Sequence, residues 1–477
     1  MTAPNVQLTK VDGRVGISPP ATEGVFVFIG TSSSGTTYQP TVVARKGAGS
    51  SVFGIGPLVE AGEYQVQHAK RQAIMIRVPA TTPGSYGAVT LTGTGTSVPT
   101  AGASTPIDEY EFAIEVLKGG TLGVDGIEYR YSYDGGRNWS ARQSLGVAMF
   151  IEPEAARGVR INLAAGSLVT GDQITTTTVA PAFTNTELTT ALEALRTSGH
   201  RWTDVAVLTI ATASNISVLD SWISAQQVVG KYKYGFMQMR RRNSGETRAA
   251  YMTAMATLYA SVSNLNVSLC VDACYLTSSV DGKELIRPAL LAVCARIGLV
   301  DIAVDAARVS DGALPAVTIL DTNNSPVFHD ETQFPGFDDL RFIALCTIPG
   351  QEGTYIANPK ALVPSGSDFV YVQHSRVLNK AAETIFRVLT RRLSSEVLAD
   401  RTSGYILETE AQDIEALGND ALRDDILKPR RASAAFLDIG RTDNILQTST
   451  VTYDVGVQFL GYTKYFKGTI GGVKTAA

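Results

Sequence analysis

Cysteine and histidine are scarce in this sequence, with four of each in 477 residues. Cys270 and Cys274 are close together, Cys294 and Cys346 stand apart, and all four lie in apolar surroundings. That placement suits small buried hydrophobes in a reducing compartment rather than a disulfide framework or a zinc site. His68, His200, His329 and His374 give little material for a catalytic triad, and neither H-E-x-x-H nor G-x-S-x-G occurs. His329 beside Asp330 is a conceivable catalytic pair and reads more simply as a loop histidine.

Phosphate cradles are missing too. No G-x-x-x-x-G-K-[ST] is present, and "GAGSSV" and "GTGTSV" lack the third glycine of a dinucleotide fingerprint. No cofactor and no metal is expected, and the chain reads as a non-enzyme. Long hydrophobic runs are absent: the best candidate, "ALLAVCARIGLVDIAV", is interrupted by Arg296 and Asp301 and is too short to span a bilayer. The opening "MTAPNVQLTKVDG" has no charged start followed by an apolar run, so no secretory signal is expected. A basic excess is missing as well. Net charge is -4 and the isoelectric point about 5.7, which argues against a dedicated nucleic-acid binder.

What is present is an ordinary globular composition, 44% hydrophobic and 18% charged, rich in Gly, Thr and Ser, and long enough for two or three domains. "GVFVFIG" (24–30) and "AIMIRVPA" (73–80) are continuous apolar runs, as strands buried on both faces would be. From 81 to 182 the texture changes. Thr and Gly rise, "EFAIEVL", "IEYRYSYD" and "DQITTTTV" alternate, and no helical period lasts, which predicts an inserted all-β domain of sandwich size.

From Thr184 helix and strand patterns alternate. "TNTELTTALEALRTS" offers an N-cap and an early Glu187, followed by "DVAVLTI", a helix over about 214–229, "GFMQMR", a helix through "TRAAYMTAMATLYASV", "NVSLCVDA" and a helix through "PALLAVCARIG". This pattern predicts a largely parallel, two-sided sheet. Further on, "LRFIALCTI" reads as a buried strand, helices are expected over about 375–398 and 409–426, and β segments close the chain.

Two motifs look functional at first sight. Ser132, Asp134, Gly136 and Trp139 in "SYDGGRNWS" match the Asp-box of sialidase-like propellers, which raises a carbohydrate-active or glycan-binding protein as the alternative function. The box occurs once, however, whereas propellers repeat it, and a hairpin corner explains the same residues. Arg240, Arg241, Arg242 and Arg248 in "FMQMRRRNSGETR" form a basic cluster without interleaved aromatics, better suited to a strand end or a protein contact than to nucleic acid.

The stretch from 339 to 389 contains "YIANP", "GSDF" and a helix opening "RVLNKA", in that order. It resembles the C-terminal region of contractile tail sheath proteins of myovirus tails, R-type pyocins and related injection machines. "PPATEGVFVFIGTSSSG" is similar to their opening strand and turn. The resemblance implies an α+β multidomain fold: a discontinuous α/β sheath domain (21–80 and 183–338) carrying the β insertion (81–182) outward, a C-terminal core (339–440), and strand-forming arms at 1–20 and 441–477. It implies a helical homo-oligomer of stacked rings around an inner tail tube, contracting without nucleotide hydrolysis, with baseplate and tail terminator proteins as partners and no membrane insertion. The localisation implied is the virion tail or a contractile particle, assembled in the host bacterial cytoplasm.

Two sets of residues carry that expectation. In "TVTYDVGVQFL" (450–460), Val451, Tyr453, Val455, Val457 and Phe459 point to one face of a strand and Thr452, Asp454 and Gln458 to the other. The pattern alone allows this strand to fold back into its own sheet. The resemblance implies that it pairs with other copies, together with Val15 and Ile17 of the N-terminal arm. On the helix after 375, Arg376, Lys380, Arg387 and Arg391 form one basic stripe, opposite Leu378, Ala382, Ile385 and Leu389. A solvated face explains the stripe; the resemblance implies contact with the inner tube.

Overall fold

The computed structural model describes residues 23–464, apart from 244, 261, 263–265, 321–334 and 364–365. Its centre is a sheet of β1 (Phe26–Gly30), β2 (Thr41–Val43), β3 (Ala73–Arg77), and, much later in the chain, β7 (Asp204–Ile210), β8 (Tyr234–Gln238) and β9 (Val267–Cys270). The spatial order is β9-β8-β7-β1-β3-β2, parallel throughout except for β2 against β3. Val27 of β1 pairs with Val205 on one side and Ile74 on the other.

Both faces are covered, which is why these strands read as unbroken apolar runs. Val27, Ile29 and Val205 pack with Leu188 and Leu192 of α3 (Asn185–Thr197) and with Ile216 and Leu219 of α4 (Ala213–Val228). Phe26, Phe28 and Phe236 pack on the other side with Leu58 and Tyr64 of α2 (Pro57–His68) and Leu290 of α6 (Leu290–Leu299). Glu187 reaches back to the Thr184 N–H at 3.0 Å, so the capping pattern of α3 forms as its sequence suggests.

Helix α2, which with α1 (Ala48–Phe53) joins β2 to β3, leaves no amphipathic trace. Glu60, Glu63 and Gln65 are buried along with its apolar residues, so the helix has no polar face to read. Glu63 accepts hydrogen bonds from the Gly47 and Ser50 N–H groups at 2.7 and 3.0 Å.

Among the described residues between β3 and α3 there are strands, turns and a single 3-10 turn. β4 (Glu111–Lys118) lies between β5 (Glu128–Ser132) and β6 (Gln173–Val179), all antiparallel. Their inward residues, among them Phe112, Ile114 and Ile174, form a core of their own, into which Leu285 of the hairpin β10–β11 (Ala273–Thr277, Glu284–Pro288) also inserts.

After α5 (Arg248–Tyr259) and α6, the segment expected as a strand at 340–348 contributes only Leu345–Cys346 to a ladder, with Ile343 bridging to Cys270. The long helix is α7 (Val372–Thr390), which ends about eight residues before the expected boundary. Beyond Leu389 the apolar stripe finds nothing to cover: Leu393 is 73% exposed and the chain turns at Ser394 with φ +61°. α8 (Glu408–Leu422) runs into one π turn, and β12 (Ala434–Ile439) and β13 (Tyr453–Gln458) form a two-stranded antiparallel hairpin.

Candidate assembly site at the C-terminal hairpin

The alternating strand pairs within its own chain. Leu437 of β12 lies opposite Val455, and Ala435 opposite Val457. The alternation holds: Val451, Val455, Val457 and Phe459 pack towards Leu437, Ile439 and the inner side of α7 and α8, while Tyr453, at the end of the ladder, is left 43% exposed. On the outer face Phe436 is 55% exposed and lies over Gly456, where an added Cβ would meet the ring at 2.3 Å.

The two edges of this hairpin differ. Side chains of α8 occupy the free edge of β12: Asn419 Oδ1 accepts from Leu437 N–H and Glu415 Oε1 from Ile439 N–H, both at 2.8 Å. Arg441 donates to Glu415 and to Glu408, and its bond to Glu415 holds that carboxyl down at about 2. No strand pairs with the other edge of β13 among the described residues. Asn419 and Glu415 were missed from sequence, although two polar residues four apart on a helix match the two-residue spacing of a strand edge.

Both ends of the described chain converge beside this hairpin. Glu23 is gripped by Arg431, whose guanidinium donates to it at 3.1 and 2.5 Å and to Asp301 at 2.7 Å, and by Lys380 at 3.1 Å. Burial opposes ionisation of Asp301, yet the Arg431 hydrogen bonds hold its carboxyl below the usual range. At the other end, Tyr462 donates to the Ala303 carbonyl at 2.7 Å, Lys464 pairs with Asp305, and Phe459 stacks on His374 with centroids 4.4 Å apart. The loop 301–305 thus holds the C-terminal end directly and shares Arg431 with Glu23 at the other end.

The basic stripe of α7 needs correction. Arg376 is turned inward, with its side chain 5% exposed, pairing with Asp204 at 3.3 Å and donating to the Ile297 carbonyl at 3.3 Å. The positions buried along α7 include 376, 377, 381, 384 and 385, so Arg376 belongs to the packed face and is not available to a partner. Lys380 is engaged by Glu23. Arg387 is half exposed beside Asp425 at 2.7 Å, and Arg391 is exposed. Val15, Ile17, His329 and Asp330 lie outside the described residues.

The other motifs resolve into local structure. Ser132 Oγ donates to Asp134 Oδ1 at 2.6 Å, and the Asp134 carboxylate also receives the Asn138 N–H at 2.8 Å and side-chain amide at 2.6 Å. Gly136 supplies φ +91° and Arg130 covers Trp139, so this carboxylate is buried and committed to a turn. Arg240 grips Glu246 with two 2.8 Å bonds, Arg241 reaches Glu109 at 2.8 Å, and Arg248 lies over Phe337. The four cysteines are free and buried. Among the described residues no cluster of side chains suits a metal ion, and no helix is long and apolar enough to cross a membrane.

Fold and site together define a mixed α/β protein whose C-terminal hairpin leaves one strand edge unpaired among the described residues. The family profile described as DUF2586, N-terminal domain, matches residues 3–360, and the chain belongs to that family. Solved structures similar to it include a sheath tail protein from Desulfitobacterium hafniense, at 11% identity and TM-score 0.47 over 96% of this chain and 100% of that one. Another is a sheath tail protein from Listeria innocua, at 11% and 0.44 over 93% and 96%. A third is the sheath complex of an extracellular contractile injection system in its contracted state, at 13% and 0.44 over 59% and 74%. No curated protein matches the sequence.

Proposed function

We propose that this protein is a subunit of a contractile tail sheath, a non-enzymatic structural protein that polymerises helically around a rigid inner tube and drives it through a target envelope by repacking. The observation that carries this reading is the open edge of β13 lying beside the points where both chain ends are held. In this reading the N-terminal segment with Val15 and Ile17, and the segment after 464, reach a neighbouring copy's hairpin, and the described residues next to them are held by Arg431 and by Asp305. A strand added to β13 supplies a few backbone hydrogen bonds, each worth about 0.5–1.5 kcal/mol net. Such head-to-tail contacts do not close, so they build a tube.

In this reading the strand-only segment faces outward, Val451, Tyr453, Val455, Val457 and Phe459 seat the hairpin that accepts the arm, and Arg387 and Arg391 meet acidic residues of the inner tube through weak, screened pairs. Baseplate and tail terminator proteins bound the polymer, and the energy of contraction resides in subunit contacts without nucleotide. The particle's tail is its location, with assembly in the bacterial cytoplasm.

The test is electron microscopy of the full chain beside variants lacking residues 1–22 or 465–477, which leave the hairpin intact. Tubes or striated sleeves from the full chain, with folded single subunits from the truncations, are expected. Compact single subunits from all three would overturn the reading.

A further inference from the structure

Ion pairs tie the strand-only segment to the hairpin β10–β11. Around Leu285, which inserts into the segment's core, Asp281 pairs with Arg157 at 2.5 Å, Glu284 with Arg137 at 3.4 Å and Arg287 with Asp108 at 2.8 Å. The chain enters and leaves the segment side by side, Thr82 and Ala182 exchanging two backbone hydrogen bonds of 3.0 Å. A polar joint between two separate cores permits relative motion, and the paired linkers supply a pivot. A cavity of about 260 Å³ at the carboxyl ends of β7 and β8 is lined in part by Asp108 and Arg287, which gives the joint room to rearrange.

The innermost pair is out of balance. Arg287 Nη2 meets two carboxylates, Asp108 of the segment at 2.8 Å and Glu60 of α2 at 3.8 Å, and the Arg287, Asp108 and Glu60 side chains are only 3%, 5% and 7% exposed. One guanidinium neutralises one carboxylate, and a second charge left in such a place is costly. Asp108 accepts from the Glu109 N–H at 2.8 Å as well as from Arg287, whereas Glu60 Oε1 accepts from Ser278 at 2.8 Å and Glu60 Oε2 has no hydrogen-bond partner among the described residues. Glu60 is therefore where a proton sits. The charges around the pair leave this excess in place: Asp281, which also faces Glu60, and Glu154 are matched by Arg157 and Lys283, Glu109 is matched by Arg241, and Glu63 of α2 accepts from the Gly47 and Ser50 N–H groups. Burial, with the negative charge of Asp108 and Asp281, pushes the Glu60 carboxyl up to about 7 against the opposing pull of Arg287 and Ser278.

We propose that Glu60, Arg287 and Asp108 form a proton-controlled clamp that holds the strand-only segment against the rest of the subunit. With Glu60 protonated, Arg287 is committed to Asp108 and the segment is held. When Glu60 gives its proton to solvent, two carboxylates compete for one guanidinium, the hold on Asp108 weakens and the segment pivots at Thr82 and Ala182. In the pivoted state water reaches Glu60 and its carboxyl returns to the ordinary value of 4.5. The ratio of pivoted to held molecules therefore rises as pH climbs from that value towards 7 and levels off above it. The clamp lies within one subunit and stands or falls apart from the assembly reading.

The experiment is single-molecule energy transfer on the full-length chain, with dyes on Val147→Cys in the segment and Val228→Cys at the end of α4, positions that are 68% and 84% exposed. The four native cysteines are buried. The ratio of pivoted to held molecules is expected to be about tenfold higher or more at about pH 8 than at about pH 5. Glu60→Gln, which keeps the shape of the protonated carboxyl, is expected to keep the low ratio at both, and so separates Glu60 from every other group that titrates in this range. A ratio that does not change with pH when Glu60 is present, or the same rise in the Glu60→Gln chain, would overturn the proposal.

Discussion

β1 and β13 are strands of five and six residues that each carry apolar side chains, yet every residue of β1 is buried and none of β13 is. β1 is covered by helices on both faces and by β3 and β7 on both edges. β13 has cover on one face and one edge. A strand of the first kind is finished within the chain, while one of the second kind keeps a row of backbone groups for something else. The comparison separates the part of this molecule that stabilises the subunit from the part that we assign to assembly.

The largest expected effect lies in the sheet. Phe28→Ala, at a site with no exposure, should cost about 3–5 kcal/mol, read as a lowered denaturant midpoint. Val457→Ala in the half-exposed hairpin should cost about 1 kcal/mol or less. Equal losses would erase the distinction.

The two regions should also respond to pH with opposite sign. Burial, only partly offset by Arg287, pushes the Glu60 carboxyl up to about 7. The folded state therefore holds a proton that the unfolded chain has released above about 4.5. Stability from this group is fully present below that value and is lost as pH rises towards 7, on the order of 3 kcal/mol. Glu60→Gln should flatten this slope in urea titrations. Glu415, held down at about 2 by Arg441, works the other way: its contribution is present above about 4.5 and fades as pH falls towards 2. Glu415→Gln should remove that acid-side loss and leave the slope between 4.5 and 7 unchanged.

A smaller, local effect is expected at Gly456. Gly456→Val displaces the Phe436 ring and should weaken the hairpin by about 1–3 kcal/mol. Hydrogen exchange should quicken at β12 and β13 and stay the same in β1, β3 and β7; quickening in both regions would show that they unfold as one unit. The smallest effect on stability belongs to the exposed arginines. Arg387→Glu with Arg391→Glu should shift the unfolding free energy by no more than about 0.5 kcal/mol, while co-sedimentation of sheath with tube is lost. Unchanged co-sedimentation would remove these residues from the tube contact.

Much of the fold is legible where one physical rule dominates. Strands buried on both faces announce themselves as apolar runs, α3 by its cap, β13 by its two-residue period. Helix α2 is hidden because Glu60, Glu63 and Gln65 find partners or cover only after the chain has folded. Arg376 misleads for the same reason: helical geometry places it in line with Lys380 and Arg387, and only the approach of Asp204, 172 residues away in sequence, turns it into a buried ion pair. The candidate site is half legible. The alternation of 451–459 fixes which face of β13 is inward, but nothing in it names β12 as the partner.

The sequence by itself determined the parallel α/β centre, the strand-only segment between two linkers, and the amphipathic faces of the late helices and of β13. These follow from interactions between near neighbours in the chain, where periodicity and turn chemistry act directly. Tertiary structure alone decided that α8 covers one edge of the hairpin and leaves the other open, that Arg431 gathers Glu23 and Asp301, and that a cavity opens at the carboxyl ends of β7 and β8. Those depend on residues from 18 to 408 positions apart being brought together, and a charge or hydrogen-bonding group has no assigned role until its partner has arrived.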